Sequence, residues 1–284
     1  MYTYEIAGIP IKFKYNFDKY FKNSIENYSK QIDKPGYNMN VEVLDIIEAP
    51  SGKPQYAYRN RTVYESDLKR TTVLKSKKGT IMEIISHTYD FTSVDIFLSN
   101  RLREQLPEQE YTLSGLFFMA MALNENMLSL HASAIEINNR AILFSGVSGT
   151  GKTTHVNNWQ TLYGPLPVIN DDKPIISAKD DSIMVHGSPF SGKESININK
   201  SLPLGAIIFL RQGKENKVVL PSKKEAVQLL LKNIYRPDSD LLMEKALKLC
   251  ETIIKFIPIY VFHATIDASS AEKIHSHLTK EGVL

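Results

Sequence analysis

Residues 140–159, RAILFSGVSGTGKTTHVNNW, constrain this chain more than any other stretch. Ala141-Ile142-Leu143-Phe144 predicts a buried strand. Gly146-Val147-Ser148-Gly149-Thr150-Gly151-Lys152-Thr153 then fits the spacing G-x-x-x-x-G-K-[ST]. Residues 152–162 predict a helix that stops at Gly164-Pro165. Glycines at these positions let the backbone curl until successive N–H groups turn inward. The helix start adds the positive end of its dipole, and the two together suit phosphate oxygens. The pattern predicts a cradle of Gly146, Ser148, Gly149, Thr150, Gly151, Lys152, Thr153 and Thr154 around a nucleoside triphosphate. In it Lys152 reaches the β- and γ-phosphates and the Thr153 hydroxyl takes a place on Mg²⁺.

Downstream, an apolar run over residues 167–170 reads as a strand ending in two adjacent carboxylates, Asp171 and Asp172. A strand neighbouring the loop strand, with an acid at its end, is where the magnesium sphere of a phosphate loop is completed. Two acids permit a division of labour, one toward metal and one as proton acceptor for an attacking hydroxyl. Upstream, His131-Ala132-Ser133 opens a predicted strand, and Asn138-Asn139 is a turn pair that folds it back on the loop strand.

The first third is β-rich and carries no recognisable chemistry. Alternation predicts strands over residues 2–6, 11–15, 40–47 and 94–98, with a hairpin of 71–74 and 80–85 around a tip holding Lys75, Lys77 and Lys78. That tip reads as a solvated turn, the alternative being a docking patch for an acidic partner. Residues 111–124, apolar nearly all round, predict a buried helix with Met119 and Met121 as core fillers. Beyond the acid pair come a strand over 183–187 and a donor-rich loop over 188–194 whose charged member is Lys193. A core strand over 204–210 leads to Arg211, read as a surface charge. Helices over 223–235 and 239–256 and a last strand over 258–262 follow. The terminal helix opens on a capping box of Ser269 and Glu272, and its His275 and His277 point to different faces.

Composition narrows the class. A net charge of +3, with no basic stripe interleaved with aromatics, argues against a nucleic-acid partner. The N-terminal residues lack the pattern of a signal peptide, and no apolar run approaches the ~18 residues of a membrane span. The single cysteine, Cys250, reads as a core residue of a reducing compartment, so a cytoplasmic protein with no membrane partner is expected.

The order His-Ala-Ser, Gly-Val-Ser-Gly-Thr-Gly-Lys-Thr-Thr, Asn-Asp-Asp resembles the HPr kinase/phosphorylase family, whose kinase core is shared with phosphoenolpyruvate carboxykinases. The resemblance covers residues 127–215 and extends more loosely, by element order, to the C-terminus; it implies a P-loop kinase core over residues 109–284. No family motif reaches residues 1–108, which their own alternation marks as a β-rich accessory or substrate-docking region, so the expected fold is mixed α/β. The resemblance implies that Lys152 binds nucleotide phosphates and Thr153 binds Mg²⁺. Asp171 is then the base that deprotonates an acceptor hydroxyl, His131 stands close to it, and Asp172 supports metal. The cofactors implied are ATP and Mg²⁺, and homo-oligomers are implied as well. Two departures mark a divergent member: Met184-Val185-His186-Gly187 lacks the family's acidic metal ligand, and Arg211-Gln212-Gly213 only echoes a later signature. HPr itself is therefore not the expected acceptor. A serine of a peptide or protein, or a small-molecule alcohol, is.

Two rivals stand beside this kinase. One is a nucleotide-gated binding protein with no phosphoryl acceptor. The other, a carboxykinase-like lyase, is disfavoured because those enzymes are similar only in the loop and are considerably longer. A guanine reader is disfavoured too, since Asn199-Lys200 lacks the aspartate that would follow.

Overall fold

Alternating burial along the first hundred residues builds one sheet, seen most plainly over residues 9–14, where Ile9, Ile11 and Phe13 are buried and Pro10, Lys12 and Lys14 are not. The computed structural model describes residues 2–21, 24–179, 182–192, 195–237 and 239–284. The chain divides into two units, Met1–Asn124 and Glu125–Leu284.

In the first unit the strands are β1 (Tyr2–Ile6), β2 (Ile9–Lys14), β3 (Tyr37–Leu44), β4 (Tyr56–Tyr58), β5 (Arg61–Glu65), β6 (Lys69–Lys75), β7 (Ile81–Thr88) and β8 (Ser93–Ser99). They lie in the order β1-β2-β3-β8-β7-β6-β5-β4, with the pairs β2–β3 and β3–β8 parallel and the others antiparallel. The hairpin expected around the lysine tip is β6–β7. The strand expected over 40–47 instead runs from Tyr37, which pairs with Ile11, to Leu44. Helix α1 (Leu106–Asn124) buries Phe118, Met119, Ala120 and Met121 and closes the unit.

The unit boundary falls after α1 rather than at the expected 108/109. The helix is tied to the first unit by Tyr111, which packs against Tyr20 and Phe21. The buried Glu110 carboxylate ties it further, accepting N–H groups of Asn16 at 2.7 and 2.8 Å and of Phe17 at 2.8 Å in the turn after β2.

The second unit runs β9 (Met127–Ser129), β10 (Ala132–Ile137), β11 (Arg140–Ser145), α2 (Lys152–Tyr163), β12 (Val168–Asn170), β13 (Ile175–Lys179), β14 (Ser182–His186), β15 (Ser201–Gln212), β16 (Lys217–Val219), α3 (Lys223–Asn233), α4 (Asp240–Phe256), β17 (Ile259–Ala264) and α5 (Ser269–Lys280). The sheet order is β12-β10-β11-β15-β14-β13-β9, with β17 on β15 and β16 on β17. The twelve-residue β15 joins the parts, pairing antiparallel with β14 at its start and parallel with β11 and β17 further on.

Asn138 and Asn139, at φ +47° and +61°, make the tight turn between β10 and β11. That hairpin seats β10 between β11 and β12. The acid pair therefore follows a strand one place removed from the loop strand, not the adjacent strand that the sequence suggests. Because β10 is antiparallel to both neighbours, the ends of β11 and β12 and the start of β10 open on the same side.

Helix α2 is rich in Thr, Asn and His, which are indifferent helix formers. It is held by packing: Val156 and Trp159 sit in a cluster with Ile142, Phe144, Ile208, Phe262 and Ile274. Burying each large apolar side chain of this kind is worth roughly 1.5–3 kcal/mol. Helix α5 lacks the expected capping box. The Asp267 carboxylate accepts both the N–H and the hydroxyl of Ser269, and Ala268 holds the cap position. His275 stacks on Tyr163 and His277 meets Tyr260 edge-on, so the two do face different ways.

Candidate functional site

The glycine loop leaves β11 at Gly146 and enters α2 after Gly151. Gly146, Gly149 and Gly151 have φ of +150°, +83° and +95°, a region L side chains rarely adopt. At Gly146 space is also short: a Cβ would stand 2.9 Å from Thr150 Oγ1 and 3.0 Å from the Leu210 carbonyl oxygen. Thr150 closes the turn by donating its hydroxyl to the Val147 carbonyl at 2.8 Å. Ser148 and Gly149 at the crest are exposed, as are Thr153 and Thr154 on the first turn of α2.

Lys152 turns back under the loop. Its Nζ donates to the Gly146 carbonyl at 3.1 Å and to Nε2 of His131 at 2.9 Å. An ammonium can only donate, so Nε2 accepts and Nδ1 carries the ring proton. Nδ1 lies 2.8 Å from Oδ1 of Asp172, whose other oxygen takes the Lys173 ammonium. The result is a chain, Lys152 to His131 to Asp172, that joins the loop helix to the acid pair. The family resemblance puts His131 beside Asp171; the ring is bonded to Asp172 instead, because β10 brings it to that side of the turn.

Two buried groups hold the pair in place. Asn170, fully buried, accepts the N–H of Asp172 at 2.9 Å and of Lys173 at 2.6 Å, and donates to the Ser188 carbonyl at 3.0 Å. Ser133 donates to the Asp171 carbonyl at 3.0 Å. Asp171 itself points at the loop after β14, where Oδ1 accepts the Gly192 N–H at 2.6 Å. Lys193, expected as the charged member of that loop, lies with Glu194 outside the described residues.

The two carboxylates are pushed apart electrostatically. Burial raises the Asp171 carboxyl; the Gly192 N–H offsets this in part and the Asp172 charge adds to it. Burial would raise Asp172 as well, but the His131 hydrogen bond and the charge and hydrogen bond of Lys173 outweigh it and hold Asp172 well below the usual carboxylate range. Burial lowers the Lys152 ammonium, with Asp172 opposing. A pair split in this way has one permanent anion and one stronger base.

On the other flank of the loop lies a cavity of about 510 Å³, lined by Gly149, Gly151, Thr154, Asn158, Gln212 and Asp267 among others. Gln212 reaches across to the Gly149 carbonyl at 3.3 Å. Arg211 turns away into an exposed ion pair with Glu225.

The sequence readings of Gly146, Gly149, Gly151, Lys152, His131 and Asp172 therefore meet at one place, with Asp171 next to it. Asn170 and Ser133 stand in the Asn-Asp-Asp and His-Ala-Ser runs and Gly192 in the donor-rich loop, but the sequence assigns none of the three a role of its own. An Asn closing a short apolar strand is a turn signal that could have marked Asn170. Nothing local marks the other two.

Among the described residues no cluster of three or more His, Cys, Asp and Glu could hold a metal by itself. Nor is any helix among them long and apolar enough to cross a membrane. The fold and the site define a mixed α/β protein in which a glycine loop, a histidine and an acid pair converge. The chain belongs to the SynChlorMet cassette protein ScmC family, whose sequence model matches residues 110–279. No curated protein matches the chain in sequence. Among solved structures it is similar to the Hpr(Ser) kinase/phosphatase from Coxiella burnetii, at 9% identity and a TM-score of 0.32, covering 54% of this chain and 98% of that one.

Proposed function

We propose that this chain is an ATP- and Mg²⁺-dependent kinase that transfers the γ-phosphate to an acceptor hydroxyl, on a serine of a peptide or protein or on a small alcohol. The observation that carries the reading is the Lys152–His131–Asp172 chain, which ties a G-x-x-x-x-G-K-T loop to a pair of carboxylates of split basicity.

In this reading the loop N–H groups and Lys152 hold the triphosphate, Lys152 leaving His131 to do so. The nucleoside extends into the cavity past Thr154. Asp171 accepts the proton of the acceptor hydroxyl. The freed oxygen bonds to the γ-phosphorus as the bond to the bridging oxygen breaks, and the nucleoside diphosphate leaves. His131 keeps Asp172 oriented through Nδ1–H. Phosphoryl transfer asks mainly for positioning and charge neutralisation, which this set supplies.

The residues suit magnesium. It is commonly held by one or two carboxylates with substrate phosphates and water completing the sphere, so Asp172 and the Thr153 hydroxyl suffice as protein ligands. When bound, the ion neutralises charge on the β- and γ-oxygens.

The test is incubation with ATP or GTP, Mg²⁺ and candidate serine peptides and alcohols, following phosphate by mass. The expected outcome is a phosphorylated acceptor that Asp171→Asn abolishes. Nucleotide binding or hydrolysis with no phosphorylated product from any acceptor would instead support the nucleotide-gated binding protein.

A further inference from the structure

The first unit has a surface that the kinase reading leaves unused. Residues 51–78 carry eight Lys and Arg against two carboxylates, a net charge of +6 in a chain whose total is +3. Every residue from 51 to 61 is exposed, and the run includes β4. This strand ends the sheet, paired to β5 on one side only. Such an edge presents unpaired backbone groups to any extended chain that approaches.

Side chains equip the edge for a particular visitor. Tyr56 and Tyr58 are 47% and 61% exposed. Each is backed by a cation, with Arg70 5.9 Å from the Tyr56 ring centre and Arg59 5.1 Å from that of Tyr58. The Arg70 guanidinium also donates to the Tyr56 hydroxyl. The Lys75 N–H donates to the Asn60 carbonyl at 2.8 Å, which brings the turn holding Lys77 and Lys78 beside the β4–β5 hairpin. Among the described residues, Arg59, Arg61, Lys75, Lys77 and Lys78 have no carboxylate at ion-pair distance.

We infer that β4 is a docking edge for an acidic peptide segment in extended conformation. Main-chain pairing to the strand gives the geometry, the tyrosines take its apolar side chains, and the unpaired cations select acidic residues. The charges alone would also suit a single-stranded nucleic acid, but that ligand has no peptide groups with which to extend a sheet. The open strand edge therefore favours the peptide. The inference stands apart from the kinase reading, because it needs neither nucleotide nor the glycine loop.

The experiment titrates the full chain, without nucleotide, into a fluorescein-labelled peptide of alternating Glu and Val. The same peptide with Lys for Glu and an oligothymidine serve as controls. The acidic peptide should bind with an affinity that falls as salt rises. The double variant Arg59→Glu/Arg61→Glu, whose side chains are exposed, should weaken binding roughly tenfold or more. Amides of residues 56–58 should gain hydrogen-exchange protection with the peptide bound. Lys152→Ala should bind the peptide as the unmodified chain does, which keeps this result separate from any failure of the kinase reading. The inference is overturned by equal binding of the acidic and basic peptides, by indifference to the double reversal, by tighter binding of oligothymidine, or by peptide binding without protection at 56–58.

Discussion

Gly192 donates its backbone N–H to Oδ1 of Asp171 at 2.6 Å, and a methyl group on Gly192 would stand 2.8 Å from the other oxygen of that carboxylate. The glycine is thus a positioning residue for the proposed base. Gly192→Ala must turn the carboxylate away, whereas the glycine loop stays as it is. Misplacing a reacting group by about an ångström slows an enzyme on the order of a hundredfold. Phosphoryl transfer should drop by about ten- to a hundredfold, with nucleotide affinity nearly unchanged. A matched loss of nucleotide affinity in a calorimetric titration would assign Gly192 to the nucleotide instead.

Asp171 should show the opposed effects of a buried functional carboxylate. Its folded-state value is raised by burial, so the ionised form is disfavoured in the folded protein at neutral pH, and this penalty fades as pH falls and the group protonates. Asn at this position keeps the oxygen that accepts from Gly192 and carries no charge. Asp171→Asn should therefore lower phosphoryl transfer by about 10²- to 10⁴-fold and raise the melting temperature at pH 7. The stabilisation should shrink in more acidic buffer. A melting temperature that drops at pH 7 would mean that the carboxylate is structural.

Much of this arrangement is legible in the sequence because it depends on local rules. The glycine loop needs φ values that only glycine adopts freely, and the Asn138-Asn139 turn needs a similar permission, so both leave fixed spacings behind. The apolar runs of β11 and β15 betray buried strands in the same way. What stays illegible depends on partners remote in sequence. Glu110 looks like an ordinary acid in the first turn of a helix, yet its partner is Asn16, 94 residues earlier, and that bond helps tie α1 to the first unit. Gly192 lies in a donor-rich loop in which nothing sets this glycine apart until Asp171 is seen against it. The pairing of His131 with Asp172 rather than Asp171 depends on the side of a turn, which residue spacing does not convey.

Cys250 offers a check on the core of the second unit. It is fully buried on α4, and burial pushes its thiol up to about 12. The thiolate is the reactive form. Labelling with a thiol reagent at neutral pH should be negligible in the folded protein and complete in denaturant. Rapid labelling of the native chain would show that α4 does not pack as described.

Asp172 should make the protein sensitive to acid in a defined window. Its carboxyl is held below the unfolded value because the contacts to His131 and Lys173 outweigh the effect of burial. For an acid lowered in the folded state, the unfolded chain takes up the proton first as pH falls. The stability it contributes is fully present above the ordinary aspartate value of about 3.9 and is lost as pH drops toward the folded-state value. Asp172→Asn removes that contribution at every pH. Urea midpoints of the two proteins should differ clearly at about pH 5 and should approach each other as the pH falls below about 4. Removing one partner from a largely buried charged group typically costs about 3–5 kcal/mol. The effect here should sit below that range, since the Asp172 side chain is 19% exposed and Asn can still accept the Nδ1–H of His131. A gap that stays constant to pH 3 would show that the Asp172 carboxylate is not stabilised by His131 and Lys173.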